Sequence, residues 1–475
     1  MKILIVSWFF PPANTIGAVR IGNATRFLLD RGHDVRVLAG KDLPYAQTLK
    51  IDLPAERIHY AKWADVNALP RIIKGMFVPR RATADPKAPS APQPGSEVSP
   101  SIVGALSDQL RNLYVHLTNF PDNRAGWFPY AFRTGRRMLE TWKPDLVFAS
   151  GPPFTTLLVG DRLSRRYDLP LVVELRDRWS DDPYYPPPRW RIWMDRLAER
   201  HIVNRASGIT TVSAPWADTY RKVYAKPVAV VFNGYDTDLC PATPSRGSDQ
   251  AEALRIVYTG GIYPGRRDPT PLFQAVSSLG PDADKVRIEF FGTDPNHVLP
   301  LAARHGAIDQ VVLHPAVSHE DAVVQQCNAD VLLLMQWNNP KEQGNVPGKF
   351  FEYIGALRPI LVLGLEDGVP ATILRERGAG LFSNDPQQIA GQIADWIRTK
   401  HDKGHIPPLP TEVRRGLSRD EQCGELERFL LRIGGPEEAQ TGSADGGSAQ
   451  APADRPRRSG ARAAETEVPK AGVNE

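Results

Sequence analysis

The sequence predicts an α/β fold in which two doubly wound parallel sheets, both Rossmann-like, face each other across a cleft. Its length of 475 residues is too great for one hydrophobic core and suggests two folded units. Strands that are apolar along their whole length alternate with amphipathic helices, a pattern typical of parallel sheets covered on both faces. This alternation occurs twice, before and after a polar segment at 238–252 that we interpret as an interdomain linker.

The first domain is expected over residues 1–237. An apolar strand at 2–10 leads through a loop into a helix at 16–30, and a second strand follows at 35–39. The alternation then resumes with strands at 145–149, 171–175, 209–213 and 228–232. The proline-rich residues 82–101 carry almost no large apolar side chains, so we expect them to be a disordered insertion.

The second domain is expected over residues 253–433. Its apolar strands begin with IVYT at 256 and continue with VRIEFF, VVLH, DVLLLM and ILVL. A weaker helical pattern from Leu409 to Ile433 supplies the final helix, and residues 434–475 consist largely of small, proline and charged residues. We expect this last segment to be a disordered tail.

Composition and charge argue against several classes of protein. The chain has 58 Lys and Arg against 54 Asp and Glu, a mixed surface rather than the basic patch of a nucleic-acid-binding protein. The three cysteines are too far apart to suggest a disulfide framework or a CxxC metal site, which favours a reducing compartment. We interpret residues 2–10 as a buried strand rather than a signal peptide, and no apolar stretch reaches the roughly 18 residues of a membrane span. The expected location is therefore cytoplasmic.

Two common nucleotide-binding motifs are missing from the sequence. The loop after the first strand has Gly17 and Gly22 but no GxGxxG pattern, and the second strand does not end in an acidic residue. Both observations argue against an NAD-type oxidoreductase. The sequence also lacks GxxxxGK followed by Ser or Thr, which argues against a P-loop NTPase.

The stretch NVPGKFFEYIGALRPIL at 345–361 predicts a short helix with an accessible N-terminus. Pro347 fits the first helical position, and Gly348 leaves the backbone open to close approach. Lys349 and Glu352 are three residues apart, so they project from one face beside N–H groups that favour an anion. The arrangement suits a phosphorylated ligand, although a solvated ion pair would show the same spacing.

Two other loops at strand ends suit a nucleoside diphosphate. Gly17 lies at the start of the first helix, and Gly260-Gly261 follows the first strand of the second domain; both would let a phosphate approach backbone N–H groups. Arg266-Arg267 comes shortly afterwards, and guanidinium groups are planar donors for phosphate oxygens. Each feature alone fits a turn or a surface pair. Together with Lys349 and Glu352, they favour a diphosphate site.

The order and spacing of eight stretches resemble the GT-B fold glycosyltransferases of the family 4 type, in the subgroup with a family-4-like N-terminal domain. They cover both halves of residues 1–400. The stretches are SWFFPPANTIGAVR at 7–20, GHDVRVL at 32–38, PDNRAGWFPYA at 121–131, SGPPFTTLLVGDRL at 150–163, VVELRDRWSDDP at 172–183, VFNGYDTD at 231–238, YTGGIYPGRRD at 258–268 and NVPGKFFEYIGALRPIL at 345–361.

The resemblance implies transfer of a sugar from a nucleotide-activated donor to an acceptor hydroxyl, usually with retention of configuration, in polysaccharide or glycolipid biosynthesis. It assigns Arg267 and Lys349 to the leaving diphosphate and Glu352 to the ribose. The loop glycine of the family corresponds to Gly17, beside the diphosphate and the acceptor.

The resemblance also points to Arg176 and Asp177 as catalytic-site residues. They fall at a strand end where related enzymes carry a residue that faces the reacting sugar. Breaking a glycosyl–phosphate bond develops positive charge on the sugar and negative charge on the departing oxygen. A carboxylate can stabilise the first charge, and cations can stabilise the second. An ion pair between Asp177 and a neighbouring arginine is the alternative.

Two departures from the family pattern concern the donor. The family often has two glutamates separated by seven residues, but Gly344 occupies the first position relative to Glu352, and the nearest acid, Glu342, is off register by two. The usual donor-sugar carboxylate is therefore expected to be missing. Ile262 stands where many relatives have arginine, so a later arginine of the loop would have to substitute.

We expect neither a metal nor a cofactor apart from the sugar nucleotide, which should be UDP- or GDP-linked. Residues 236–238 form a DxD sequence, the metal-binding signature of the other major glycosyltransferase fold. They follow VFNG at the interdomain junction, where the family has a segment of that wording. We therefore do not interpret them as a metal site.

The expected partners are the donor and a saccharide or lipid-linked acceptor, and not a nucleic acid. Segments 69–81 and 189–201 mix large apolar side chains with basic residues, as membrane-interface segments do. Packing on the domain core would explain the same pattern. Peripheral contact with the inner face of a membrane is therefore a further hypothesis.

Two other functions remain open. A sugar-nucleotide epimerase or hydrolase on the same scaffold would convert the donor without an acceptor. A non-catalytic GT-B protein that scaffolds an assembly complex would be consistent with the missing glutamate.

Overall fold

The computed structural model of the chain describes residues 1–68, 113–182, 184, 187–240 and 253–435. Several predicted features lie outside these ranges, namely the basic segment 69–81, the insertion 82–101, most of the linker 238–252, and the tail from residue 436 onward. Within the described residues, no helix is both long and apolar enough to cross a membrane.

The first half of the chain forms a seven-stranded parallel sheet, which we call, with its helices, the first lobe. Its strands are β1 Lys2–Ser7, β2 Asp34–Gly40, β3 Ile58–Ala61, β4 Leu146–Gly151, β5 Leu171–Leu175, β6 Gly208–Thr211 and β7 Val228–Val230. Its helices are α1 Ile16–Asp30, α2 Phe128–Thr141, α3 Thr155–Tyr167, α4 Arg189–Arg205 and α5 Ala214–Tyr224. The strand order is β3-β2-β1-β4-β5-β6-β7. Every residue of β4 and β5 is buried, as expected of central parallel strands.

The second half forms a six-stranded parallel sheet, the second lobe. Its strands are β8 Leu254–Thr259, β9 Val286–Phe291, β10 Val311–His314, β11 Val331–Met335, β12 Ile360–Leu363 and β13 Gly380–Phe382. Its helices are α6 Thr270–Ser277, α7 Pro295–Arg304, α8 His319–Cys327, α9 Gly348–Gly355, α10 Val369–Arg377 and α11 Pro386–Lys403. The strand order is β10-β9-β8-β11-β12-β13.

This architecture confirms the predicted fold of two doubly wound parallel sheets. Helix α1 begins and ends where the sequence pattern placed it, and its N-cap Thr15 accepts a hydrogen bond from the Ala18 backbone N–H at 3.2 Å. Two strands, β3 and β13, were not predicted from the sequence. Both are edge strands of four and three residues, too short to form a recognisable apolar run.

The final helix, α12 (Arg419–Gly434), packs against the first lobe rather than the second. Its apolar side chains Leu426, Phe429 and Leu430 share a buried cluster with residues of β1 and β2. The structure therefore corrects the expectation that this helix completes the second domain. Amphipathic periodicity identifies the face of a helix that is buried, but not the surface that covers it.

The chain crosses between the lobes twice, after β7 and before α12. The Tyr235 backbone N–H donates to the Leu417 carbonyl at 3.0 Å, and the Arg419 N–H donates to the Tyr235 carbonyl at 2.9 Å. The Arg419 guanidinium also bonds to the Asp236 carboxylate. The two crossings are therefore hydrogen-bonded to each other.

Candidate functional site

In each sheet the strand order reverses beside the first strand of the lobe. Strand β1 lies between β2 and β4, and β8 lies between β9 and β11. Ligands of open α/β sheets bind outside the carboxyl ends of the strands at such points. The loops and helix starts that follow β1, β8 and β11 carry all the predicted donor-site residues.

Lys349 lies at the N-terminal end of α9 and points back to the end of β8. Its Nζ donates to the Thr259 carbonyl and lies 4.1 Å from the centroid of the Tyr258 ring. Burial, and to a smaller extent the nearby Arg267 charge, lower the pKa of Lys349 to about 7, and the Glu352 carboxylate offsets only part of this shift. The ligand-free site thus holds an ammonium group whose charge is costly without an anion.

Arg267 occupies the same corner of the second lobe. Its guanidinium donates to the Gly261 carbonyl at 2.9 Å and to the Tyr258 hydroxyl at 3.3 Å. Tyr258 thus contacts both Arg267 and Lys349. The two cations predicted for the diphosphate are therefore neighbours in the structure.

Gly260, rather than Gly261, is the glycine that this loop requires. Gly260 has φ +106°, and a Cβ placed there would lie 2.9 Å from Lys349 Nζ. A Cβ on Gly261 would meet nothing within 4 Å, although the Gly261 carbonyl holds Arg267. The two consecutive glycines predicted a loop that a phosphate could approach. The sequence did not show that Gly260 has the left-handed backbone conformation.

Glu352 projects from the same helix as Lys349 and is held by two side chains of α8. His319 Nε2 lies 2.9 Å from Glu352 Oε1, and the Gln326 amide donates to Oε2 at 3.0 Å. Although burial alone would raise the pKa of Glu352, these hydrogen bonds lower it, so the carboxylate stays ionised. The same contact raises the pKa of His319. Sequence reasoning missed His319, because its position only becomes informative once α8 lies beside α9.

Gly17 and Arg176 meet in the first lobe. A Cβ on Gly17 would lie 2.8 Å from Arg176 Nη1, so a larger residue at this position would require the Arg176 side chain to move. Arg176 donates to the Pro152 carbonyl at 2.5 Å and lies 3.7 Å from the buried Glu174 carboxylate. Asp177 is accessible to water but surrounded by protein, and this desolvation raises its pKa.

A buried ion pair behind Arg176 is a feature that the sequence analysis did not identify. Arg20 donates to Glu174 Oε1 at 2.7 and 3.1 Å, and Ser150 donates to Oε2 at 2.5 Å. Arg20 also donates to the Val231 and Phe232 carbonyls at 2.9 and 2.8 Å. The pair therefore joins the strand end that carries Arg176 to the first crossing between the lobes.

Arg266 and Glu342 both contact Tyr184, a residue of the first-lobe segment that follows β5. The Arg266 guanidinium lies 4.4 Å from the centroid of the Tyr184 ring, and the Tyr184 hydroxyl donates to Glu342. Asn345 donates to the other Glu342 oxygen at 3.0 Å. Burial raises the pKa of Glu342. Arg266 therefore faces the first lobe, whereas Arg267 faces Lys349.

The structure divides the predicted site residues into two groups. Gly261, Arg267, Lys349 and Glu352 surround the start of α9, and Arg266 borders them on the side of Tyr184. Gly17, Arg176 and Asp177 lie together at the strand ends of the first lobe. In the DxD segment, Asp236 is paired with Arg419. The described residues contain no group of three or more His, Cys, Asp or Glu side chains that could hold a metal ion.

One family model matches most of the first lobe. Residues 17–235 match the family model described as a glycosyl transferase 4-like domain. No curated protein sequence matches the chain.

Solved structures show the same fold over most of the chain. Sucrose-phosphate synthase from Thermosynechococcus elongatus superposes with a TM-score of 0.55 and 15% identity, over 90% of this chain and 99% of that one. HepE of Anabaena in complex with UDP-glucose gives 0.52 and 14%, over 91% and 100%. The lipopolysaccharide outer core galactosyltransferase WaaB in its apo form gives 0.53 and 12%, over 91% and 99%. Residues 17–235 thus match a glycosyl transferase 4-like domain, and the chain as a whole has the GT-B fold.

Proposed function

We propose that this protein transfers a sugar from a nucleotide-activated donor to a hydroxyl of a saccharide or lipid-linked saccharide. One observation carries the proposal: the ammonium of Lys349 is half-buried beside Arg267 at the N-terminal end of α9, with ionised Glu352 one turn further on. Two cations held close together in a partly desolvated site are costly, and a nucleoside diphosphate would supply the anion that both could bind.

Each residue has a distinct role in the proposal. Lys349 and Arg267 bind the diphosphate and stabilise the negative charge that develops on the departing oxygen. Glu352, oriented by His319 and Gln326, accepts hydrogen bonds from the ribose hydroxyls. Arg176 and Asp177 border the reacting sugar from the first lobe. Gly17 leaves room for Arg176 there.

We further propose a retaining reaction that uses a UDP- or GDP-linked sugar and needs no metal, in polysaccharide or glycolipid assembly. The complex of HepE with UDP-glucose, a protein of the same fold, supports a sugar nucleotide as donor. Gly344 stands where the family often has the glutamate that contacts the donor sugar. In our proposal, other groups of the cleft therefore bind the sugar.

The proposed location is cytoplasmic, with peripheral contact at the membrane. Helix α4 supports this contact, because Trp190, Trp193 and Leu197 are 38%, 61% and 48% exposed rather than packed on the core. The same helix carries exposed arginines at 189, 196 and 200. An exposed apolar stripe flanked by guanidinium groups fits the interface of an anionic bilayer.

The test is a donor-turnover assay with UDP- and GDP-linked sugars, with and without acceptor saccharides. We expect slow donor hydrolysis without acceptor, faster donor consumption with one, and loss of both in Lys349→Met. Lys285→Met, an exposed lysine of the same lobe, is the matched control and should behave as wild type. Donor converted to an isomeric sugar nucleotide would instead indicate an epimerase, and no turnover of any donor would indicate a scaffold protein.

A further inference from the structure

The first lobe contains a cavity of about 240 Å³ that none of the roles above uses. It lies between α4 and α5, beside the segment that follows β5. Four largely buried aromatic side chains line it, namely Trp179, Trp216, Tyr220 and Tyr224. Polar and charged groups complete the lining, so the cavity combines apolar ring faces with hydrogen-bonding groups.

The cavity lies next to the proposed reaction centre. Its residues 178–181 directly follow Arg176 and Asp177 in the chain. On its other side, the Trp216 indole N–H donates to the Gln343 carbonyl of the second lobe at 3.0 Å. The cavity is thus placed between the first-lobe residues assigned to the reacting sugar and the loop that precedes α9.

The charged lining has a surplus of positive charge. Three arginines, Arg178, Arg196 and Arg200, face two carboxylates, those of Asp181 and Glu199. Asp181 lies 3.4 Å from Arg178 and 2.9 Å from Arg196, so both of these cations share one anion.

The second carboxylate is also occupied by groups of the protein. Glu199 accepts hydrogen bonds from the Tyr224 hydroxyl at 2.8 Å and from the Ser180 backbone N–H at 3.0 Å. Among the described residues, Arg200 is the arginine of the lining that forms no ion pair with either carboxylate; it is exposed and lies one turn along α4 from Arg196. A guanidinium in such a position is suited to a carboxylate or phosphate group.

We propose that this cavity is the acceptor subsite, and that it takes a single sugar ring bearing an anionic group that Arg200 binds. The inference rests on the proposed function, of which it names the acceptor class. Ring faces pack on aromatic side chains, and the hydroxyls find hydrogen-bonding partners in the polar lining. The volume lies below the roughly 300–1,000 Å³ of a drug-sized site, which suits one ring rather than an oligosaccharide.

The position of Arg200 connects this subsite with the exposed stripe of α4. Arg196 and Arg200 lie on the same helix as Trp193 and Leu197. An acceptor carried by a membrane lipid would therefore reach the cavity from the side of α4 that we assign to the bilayer.

Tryptophan fluorescence of the full chain tests the proposal, since Trp179 and Trp216 line the cavity. The probes are glucuronate, glucose 1-phosphate, glucose and inorganic phosphate, titrated with UDP present in excess so that the donor phosphates are already bound. Glucuronate or glucose 1-phosphate should bind at least tenfold more tightly than glucose and inorganic phosphate. Tighter binding of glucuronate identifies a carboxylate acceptor, and tighter binding of glucose 1-phosphate identifies a phosphorylated one.

Arg200→Gln should weaken binding of the preferred probe about tenfold, whereas Arg189→Gln, an exposed arginine of the same helix outside the cavity, should not change it. Equal binding of charged and neutral sugars, or equal effects of the two variants, would overturn the proposal. The melting-temperature shifts caused by UDP and by GDP are measured in parallel. A nucleotide shift without probe binding refutes the acceptor subsite alone, whereas no shift with either nucleotide refutes the proposed function.

Discussion

The charge of Lys349 lowers the stability of the ligand-free protein and, in the proposed function, binds the diphosphate. The ammonium is half-buried beside Arg267, and Glu352 offsets that repulsion in part. Tyr258 and the Thr259 carbonyl stabilise the charge by contact. A lysine in this position lowers the free energy of unfolding, and we interpret this loss as the consequence of a requirement for the charge in ligand binding.

Replacing Lys349 with Met should stabilise the ligand-free protein and weaken nucleotide binding. The pKa of Lys349 is about 7 in the folded protein, against about 10.4 for a lysine in an unfolded chain. Because the unfolded chain binds more protons between these values, wild-type stability rises with pH across this window. The gain in melting temperature of Lys349→Met should therefore be largest at pH 7 and below, and should vanish towards pH 10. UDP affinity should fall about 10- to 100-fold, since a charge-assisted hydrogen bond is lost.

Thermal unfolding from pH 6 to pH 10 measures the first effect, and calorimetry with UDP measures the second. Lys285→Met controls for loss of a lysine from the same lobe. A gain in stability that grows with pH would contradict the assigned burial of the charge.

Glu352 should decide whether the ribose is recognised. Both of its oxygens accept hydrogen bonds from α8, so the carboxylate is oriented before the ligand arrives. We expect the wild-type protein to prefer UDP over 2′-deoxy-UDP by about tenfold or more, and Glu352→Gln to lose most of that preference. Calorimetric titrations with both nucleotides measure the ratio. Glu366→Gln, an exposed carboxylate of the second lobe, should keep it, and an unchanged ratio in Glu352→Gln would rule out the ribose role.

At the scale of single elements, sequence patterns identified most helices and central strands but few of their partners. Helix α1 could be predicted because Thr15 caps it and its apolar positions recur at helical spacing. The placement of α12 on the first lobe could not, since the cluster that buries Phe429 includes strands β1 and β2, which lie more than 380 residues earlier. For the same reason His319 and Tyr184 were missed. Their contacts join segments that lie far apart in the sequence.

Helix α4 supports a prediction about membrane contact. Trp190 and Trp193 are exposed on a helix rich in arginine. The wild-type protein should co-sediment with vesicles that contain anionic lipids, and binding should decrease with salt. Replacing both tryptophans with Ser should weaken vesicle binding at least tenfold, because large apolar side chains no longer enter the interface.

Val324→Ser removes an exposed apolar side chain of the second lobe and serves as the control for this experiment. If the tryptophan variant binds vesicles as well as wild type does, α4 is not the contact surface.

At the scale of the whole molecule, the buried pair Arg20–Glu174 joins the strand end that carries Arg176 to the connection between the lobes. Arg20 holds Glu174 and two carbonyls of the first crossing at once. Arg20→Met should destabilise the protein by about 3–5 kcal/mol, because the Glu174 carboxylate stays buried and loses its closest cation. The double variant Arg20→Met, Glu174→Met should recover part of that loss.

Denaturant unfolding of the two single variants and the double variant measures this coupling. The expected signature is a double variant that is more stable than Arg20→Met alone. Strictly additive losses would show that the pair does not act as a unit.

Isothermal titration calorimetry tests most directly whether the second lobe binds a nucleoside diphosphate between Arg267 and Lys349. The full-length chain is titrated with UDP, GDP, ADP, dTDP and the sugar nucleotides of the first two. We predict saturable binding of at least one of them, with proton uptake at pH 8 because the diphosphate restores the charge on Lys349. Failure of every nucleotide to bind at millimolar concentration would contradict the account.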